Sequence, residues 1–114
     1  MSPSRDAVFR AVEGGWSSAT STLWRADNPA AGQCSVTALL LQEMLGGCIL
    51  KTRVGSAWHY YNDLGDGRVD LTAAQFATPI AYDDLATDRM DAMSDTSEIQ
   101  LAALRRATFE VLGR

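Results

Sequence analysis

The stretch "CSVTALLLQEMLGG", Cys34 to Gly47, constrains this chain more than any other. From Cys34 to about Leu45 it has no polar face: Val36, Ala38, Leu39, Leu40, Leu41, Met44 and Leu45 spread around the whole circumference of a helix. A helix apolar on nearly every side is a central one, covered by other elements. Gly46 and Gly47 stop it. With 114 residues the chain has the size of a single domain over residues 1–114, able to bury a core without disulfides or metals.

The covering elements are legible on both sides. Ser4 can cap a first helix running to about Glu13, with Val8, Ala11 and Val12 on one stripe. The segment "WSSATSTLWRADNPAAG" reads as a short helix from about Ser18 to Trp24 followed by a loop. After Gly47 the pattern turns to β, with "CILKTRV", "AWHYYND" and "RVDLT" predicting strands over 48–54, 57–63 and 68–72, punctuated by Gly55-Ser56 and Gly65-Asp66-Gly67. A short helix is expected within Asp83 to Met93, and a terminal one from Asp95 to Leu112 with Asp95 as cap and Glu98 at N3. The fold class is α+β: a central helix packed on an antiparallel sheet of at least three strands, with helices at both ends.

Charge narrows the function classes. A net charge of −4 and scattered basic residues offer no positive stripe for phosphate backbones, so no nucleic-acid partner is expected. No run is long enough to cross a bilayer, and the N-terminus lacks the apolar region of a signal peptide, so no membrane association and a cytoplasmic location are expected. Cys34 and Cys48 bracket a helix of about 18 Å, beyond the roughly 7 Å that a disulfide spans between Cα atoms. With a single histidine, the two match no common zinc pattern, and neither metal nor cofactor is expected.

Three residues carry chemistry. Cys34 sits at a helix N-terminus, where partial positive charge and free N–H groups can stabilise a thiolate. His59 lies inside the second strand and Asp70 inside the third, where Asp is uncommon and needs a partner. Register decides whether the last two meet. A loop of Asp63 to Asp66 places His59 opposite Asp70, and a Gly65-Asp66 loop makes them diagonal neighbours, about 7–8 Å between Cβ atoms. A three-residue loop points Asp70 to the opposite face. In either favourable register Trp58, Tyr60, Val69 and Leu71 form an apolar surface on the other side, and Asn62 faces away from His59 as a structural residue.

This order resembles the papain-like and transglutaminase-like superfamily, in which a cysteine opens the central helix and His and Asp sit on successive strands. More closely, "GQCSVTALLLQEMLGG" with "HYYNDLGDGRVDLTAAQF" is similar to the small bacterial YunG-like family, over Gly32 to Phe76. The resemblance implies Cys34 as nucleophile, His59 as base and Asp70 as the third member. For the oxyanion donor it leaves three candidates beside the Cys34 N–H: Asn28, six residues before the cysteine as in the papain-like pattern; Trp24, by analogy with transglutaminases; and the adjacent Gln33.

The function expected is cysteine-dependent acyl transfer, as a thiol hydrolase, amidase or transferase acting on a peptide, amide or thioester. The alternative is a non-enzymatic binding or regulatory domain on the same fold, and a generic packing module whose Cys and His are core residues is a third reading. Trp16, Trp24 and Trp58 leave room for a homodimer contact.

Overall fold

The computed structural model describes residues 3–113. Its elements are α1 (Arg5–Gly15), α2 (Cys34–Leu45), β1 (Cys48–Val54), β2 (Ala57–Asp63), β3 (Arg68–Val69), a 3-10 turn (Ala73–Gln75), β4 (Leu85–Thr87), α3 (Arg89–Met93) and α4 (Glu98–Val111). The sheet is antiparallel with the order β3-β2-β1-β4. The architecture is α+β, and α2 lies at its centre.

Every residue of α2 from Cys34 to Leu41 is buried. Helices α1 and α4 pack together and cover one side, and β1 and β2 cover another. Val8 and Val12 of α1, Ile49 and Tyr60 of the sheet, Ala92 of α3 and Leu101 and Leu104 of α4 share one core with α2. Polar ties fix its position. Asn62 Nδ2 donates to the Ala38 carbonyl at 3.0 Å, and Trp16 Nε1 donates to Thr37 Oγ1 at 2.9 Å. At the half-buried end of α2, Glu43 takes both Arg89 and Arg105. Asn62 thus lies on the α2 face of β2, opposite to His59, as its place in the strand requires.

Three local expectations are corrected, and a fourth is met with an added strand. No helix forms over Ser18 to Trp24: the Ser17 and Thr20 hydroxyls accept from nearby backbone N–H groups, at Ala19 and Ser17, and these bonds favour turns over a helical ladder. The third strand stops at Val69, because the Asp70 carboxylate accepts from the Thr72 N–H and turns the chain. Between Asp83 and Met93 a fourth strand, Leu85–Thr87, precedes the short helix. Three residues pairing with a strand far back in the chain leave no periodic signal of their own. Finally, α4 is capped by Ser97, which accepts from Gln100 N–H, so Asp95 is released from capping.

Gly47, between α2 and β1, has φ 76° and lies so close to β2 that a Cβ there would sit 2.2 Å from the Asp63 carbonyl oxygen. Both the backbone conformation and the space demand glycine. Gly47→Ala is expected to cost about 1–3 kcal/mol, read as a lower denaturant midpoint, whereas Gly46→Ala, with open space at its Cβ position, bears only the strain of its positive φ and is the milder change.

Candidate active site

The pairing Asn62↔Val69 and Asp63↔Arg68 sets the β2–β3 register. Continued past Val69 it would place Asp70 across from Tyr61, diagonal to His59, which is the register of a Gly65-Asp66 turn. Both side chains lie on the sheet face away from α2, and His59 Nε2 meets Asp70 Oδ2 at 2.7 Å. The pair is nearly sealed, with side-chain exposures of 2% and 5%.

A carboxylate buried this deeply needs all its lone pairs used. Tyr82 donates to Asp70 Oδ2 at 2.7 Å, and the Thr72 N–H and hydroxyl donate to Oδ1. Burial alone would raise the Asp70 carboxyl, but the His59 contact and these donors outweigh it and hold it below the ordinary carboxylate range. The segment carrying Tyr82 also ties Asp83 N–H to Thr52 and Asp84 to Tyr61 and Arg68, closing over this face. Phe76 sets its ring edge-on to His59, with centroids 5.0 Å apart.

A carboxylate can only accept, so the Nε2 side of the ring carries the proton in the bond to Asp70. Nδ1 of the neutral ring is then a lone pair, and it is buried without a partner among the described residues. His59 and Cys34 line one cavity of about 170 Å³. No direct hydrogen bond joins the thiol to the ring among the described residues.

Cys34 is the first residue of α2 and is 9% exposed. Because β3 ends at Val69, β2 before Asn62 is unpaired with β3. Burial dominates and pushes the Cys34 thiol up to about 11, with the carboxylates of Asp95 and Asp70 acting in the same sense; the N–H groups of Tyr60 and Ser35 only partly offset this. The expectation of a thiolate stabilised by the helix start is therefore corrected: desolvation outweighs the helix dipole and favours the neutral thiol.

Two of the three oxyanion candidates have other engagements, and the third lies outside the cavity lining. Asn28 Nδ2 donates to the Gln75 carbonyl at 3.2 Å. Gln33 is fully buried, accepting from Thr20 at 2.8 Å and donating to the Ser17 carbonyl, which anchors the start of α2 to the preceding loop. Trp24 has a buried indole N–H without a partner among the described residues, but it is its neighbour Leu23 that lines the cavity.

The residue missed in the sequence is Gln75. It lies in the 3-10 turn and lines the cavity with Cys34 and His59. Its Oε1 accepts from the Gly32 N–H at 3.2 Å, which fixes the amide, and its Nε2 is buried without a partner among the described residues. Orphaned buried donors are rare. Its signal in the sequence is the Gln-Phe pair that closes the quoted series.

A helix-start cysteine that shares a cavity with an imidazole bonded to a carboxylate defines a class of site: a buried thiol and a buried His-Asp pair around one small cavity. The family follows from comparison. The YunG protein family matches residues 4–113, and the chain belongs to it. It is similar to the uncharacterized protein YunG of Bacillus subtilis (strain 168), 44% identical over 92 residues, covering 81% of this chain and 80% of that protein. No solved structure matches.

Two outcomes follow from the burial of these groups. In the free protein, iodoacetamide at pH 8 should mark the exposed Cys48 well before Cys34, and Cys34 labelling should keep climbing above pH 9 as its thiol ionises; peptide mapping reads both. The depressed carboxyl of Asp70 adds stability that is present above its unfolded value of about 3.9 and lost as pH falls through the lower folded value. Acid unfolding of Asp70→Asn should lack that component.

Proposed function

We propose that the protein is a cysteine-dependent acyl-transfer enzyme acting on an amide or thioester, with Cys34 as nucleophile, His59 as general base and Asp70 as the group that orients His59. One observation carries the reading: His59 and Cys34 line the same cavity, and His59 has a buried Nδ1 without a partner among the described residues while its Nε2 is bonded to Asp70. The order of the three along the chain supports it through its likeness to the papain-like and transglutaminase-like core.

A neutral thiol fits general-base catalysis on the bound substrate rather than a preformed ion pair. As the sulfur attacks the carbonyl carbon, Nδ1 takes the thiol proton, and the resulting imidazolium is stabilised by Asp70. The oxyanion is met by Gln75 Nε2 and by the Cys34 N–H, which has no partner within the helix. Collapse breaks the bond to the leaving amine or thiol, which receives the proton from Nδ1. Water or a second nucleophile then releases the acyl group from sulfur by the reverse path.

The raised thiol favours a second reading, in which the cavity binds a ligand without reacting with it. Intact mass after exposure to acyl thioesters separates the two. An acyl adduct is expected on Cys34, absent in Cys34→Ala and slowed about 10²–10⁴-fold in His59→Gln, with circular dichroism checking that each variant is folded. Gln75→Ala should slow acylation about 10²–10³-fold with the fold intact. Ligand-induced stabilisation with no adduct in the wild type would establish the binding reading instead.

A further inference from the structure

The walls of the Cys34 cavity specify more than the reaction. Apart from the reacting groups it is lined by Leu23, Val54, Ala57, Trp58 and Phe76, and by a single carboxylate, Asp95. Its volume of about 170 Å³ is close to that of an apolar cavity of about 150 Å³ that takes up benzene. A butyryl or benzoyl group fits such a space, and an extended lipid chain or a folded peptide segment does not.

Asp95 is the polar element of the mouth. It precedes α4, whose cap is Ser97, and it is exposed. Its carboxylate accepts no hydrogen bond and pairs with no cation among the described residues. The two cations over the Trp58 wall are engaged: Lys51, 4.3 Å from the ring centroid, is paired with Asp91 at 2.6 Å, and Arg53, 4.4 Å from the centroid, donates to the Ser56 carbonyl. An exposed charge at the rim of a partly desolvated site steers and orders a counter-charge on the ligand.

Resting on the acyl-transfer reading, we propose that the substrate is a short or aromatic acyl group joined through an amide or thioester to a leaving portion that carries an ammonium or guanidinium. The acyl chain enters the apolar cavity, and the cation of the leaving portion sits against Asp95 at the mouth, where the leaving group departs. Its binding also cancels a negative charge beside the sulfur, easing deprotonation of Cys34 by His59 at the moment the correct substrate is in place. The bond changes are those already given: Cys34 sulfur to acyl carbon forms, the bond to the leaving nitrogen or sulfur breaks, and the leaving group departs with the proton from His59.

Four thioesters test this: butyrylthiocholine, S-butyryl-2-mercaptoethanol, S-butyryl-3-mercaptopropionate and octanoylthiocholine, followed by acyl mass on Cys34 and by released thiol. Butyrylthiocholine is expected to acylate about tenfold or more faster than the anionic butyryl thioester, and octanoylthiocholine to be the slower of the two choline esters. In Asp95→Asn the preference for the cation should collapse toward unity, while the neutral thioester should react no slower than with the wild type, because the charge that orders the cation also opposes ionisation of Cys34. Acylation that requires His59 but ignores the charge of the leaving group, or favours octanoyl, overturns the substrate assignment and leaves the chemistry standing. Failure of all four to put mass on Cys34, or acylation unaffected by His59→Gln, overturns the acyl-transfer reading and the substrate with it.

Discussion

The buried contact between His59 and Asp70 organises much of the molecule. Neither group could be sealed from water singly, since an unpaired carboxylate in the interior is costly. Together, and with Tyr82 and Thr72 supplying further donors, they satisfy one another almost completely. This arrangement ends β3 at Val69, sends the chain into the 3-10 turn and brings the Tyr82 segment back over the sheet. One valence is left over: Nδ1 is buried without a partner among the described residues, on a histidine that lines one cavity with Cys34.

At Cys34 two effects compete, and their sizes decide the chemistry. The helix start and the N–H groups of Tyr60 and Ser35 favour the thiolate, but near-complete burial and the proximity of two carboxylates favour the thiol, and these prevail. Under the acyl-transfer proposal, deprotonation of this thiol is left to a base already oriented by Asp70, at the moment when a substrate has changed the surroundings of the sulfur. The unpartnered amide of Gln75 beside the same cavity has the matching character of a donor awaiting an acceptor.

The extent to which this was readable differs by element. The bounds of α2, β1 and β2 follow from composition, since an apolar helix ended by two glycines and two alternating strands joined by Gly55-Ser56 have few other ways to fold. Cys34, His59 and Asp70 stood out by residue type and order. Gln75 did not, because a glutamine in a short turn looks like surface until the fold leaves its amide without a partner. Asn28 and Gln33 stood out by proximity in sequence to the cysteine, yet their amides hold loops together.

The sequence by itself determined the central helix, the hairpin that follows it and the kinds of reactive side chain present, because these depend on local periodicity and on glycine placement. It also placed the chain beside the YunG family through a series of short motifs. The tertiary structure alone decided that β3 would be cut short, that a three-residue strand would join the far edge, that Asp95 would be freed from helix capping to face a cavity, and that the thiol would be neutral at rest. Each of those outcomes depends on which distant groups desolvate or satisfy one another, a quantity set by packing in space and invisible along the chain.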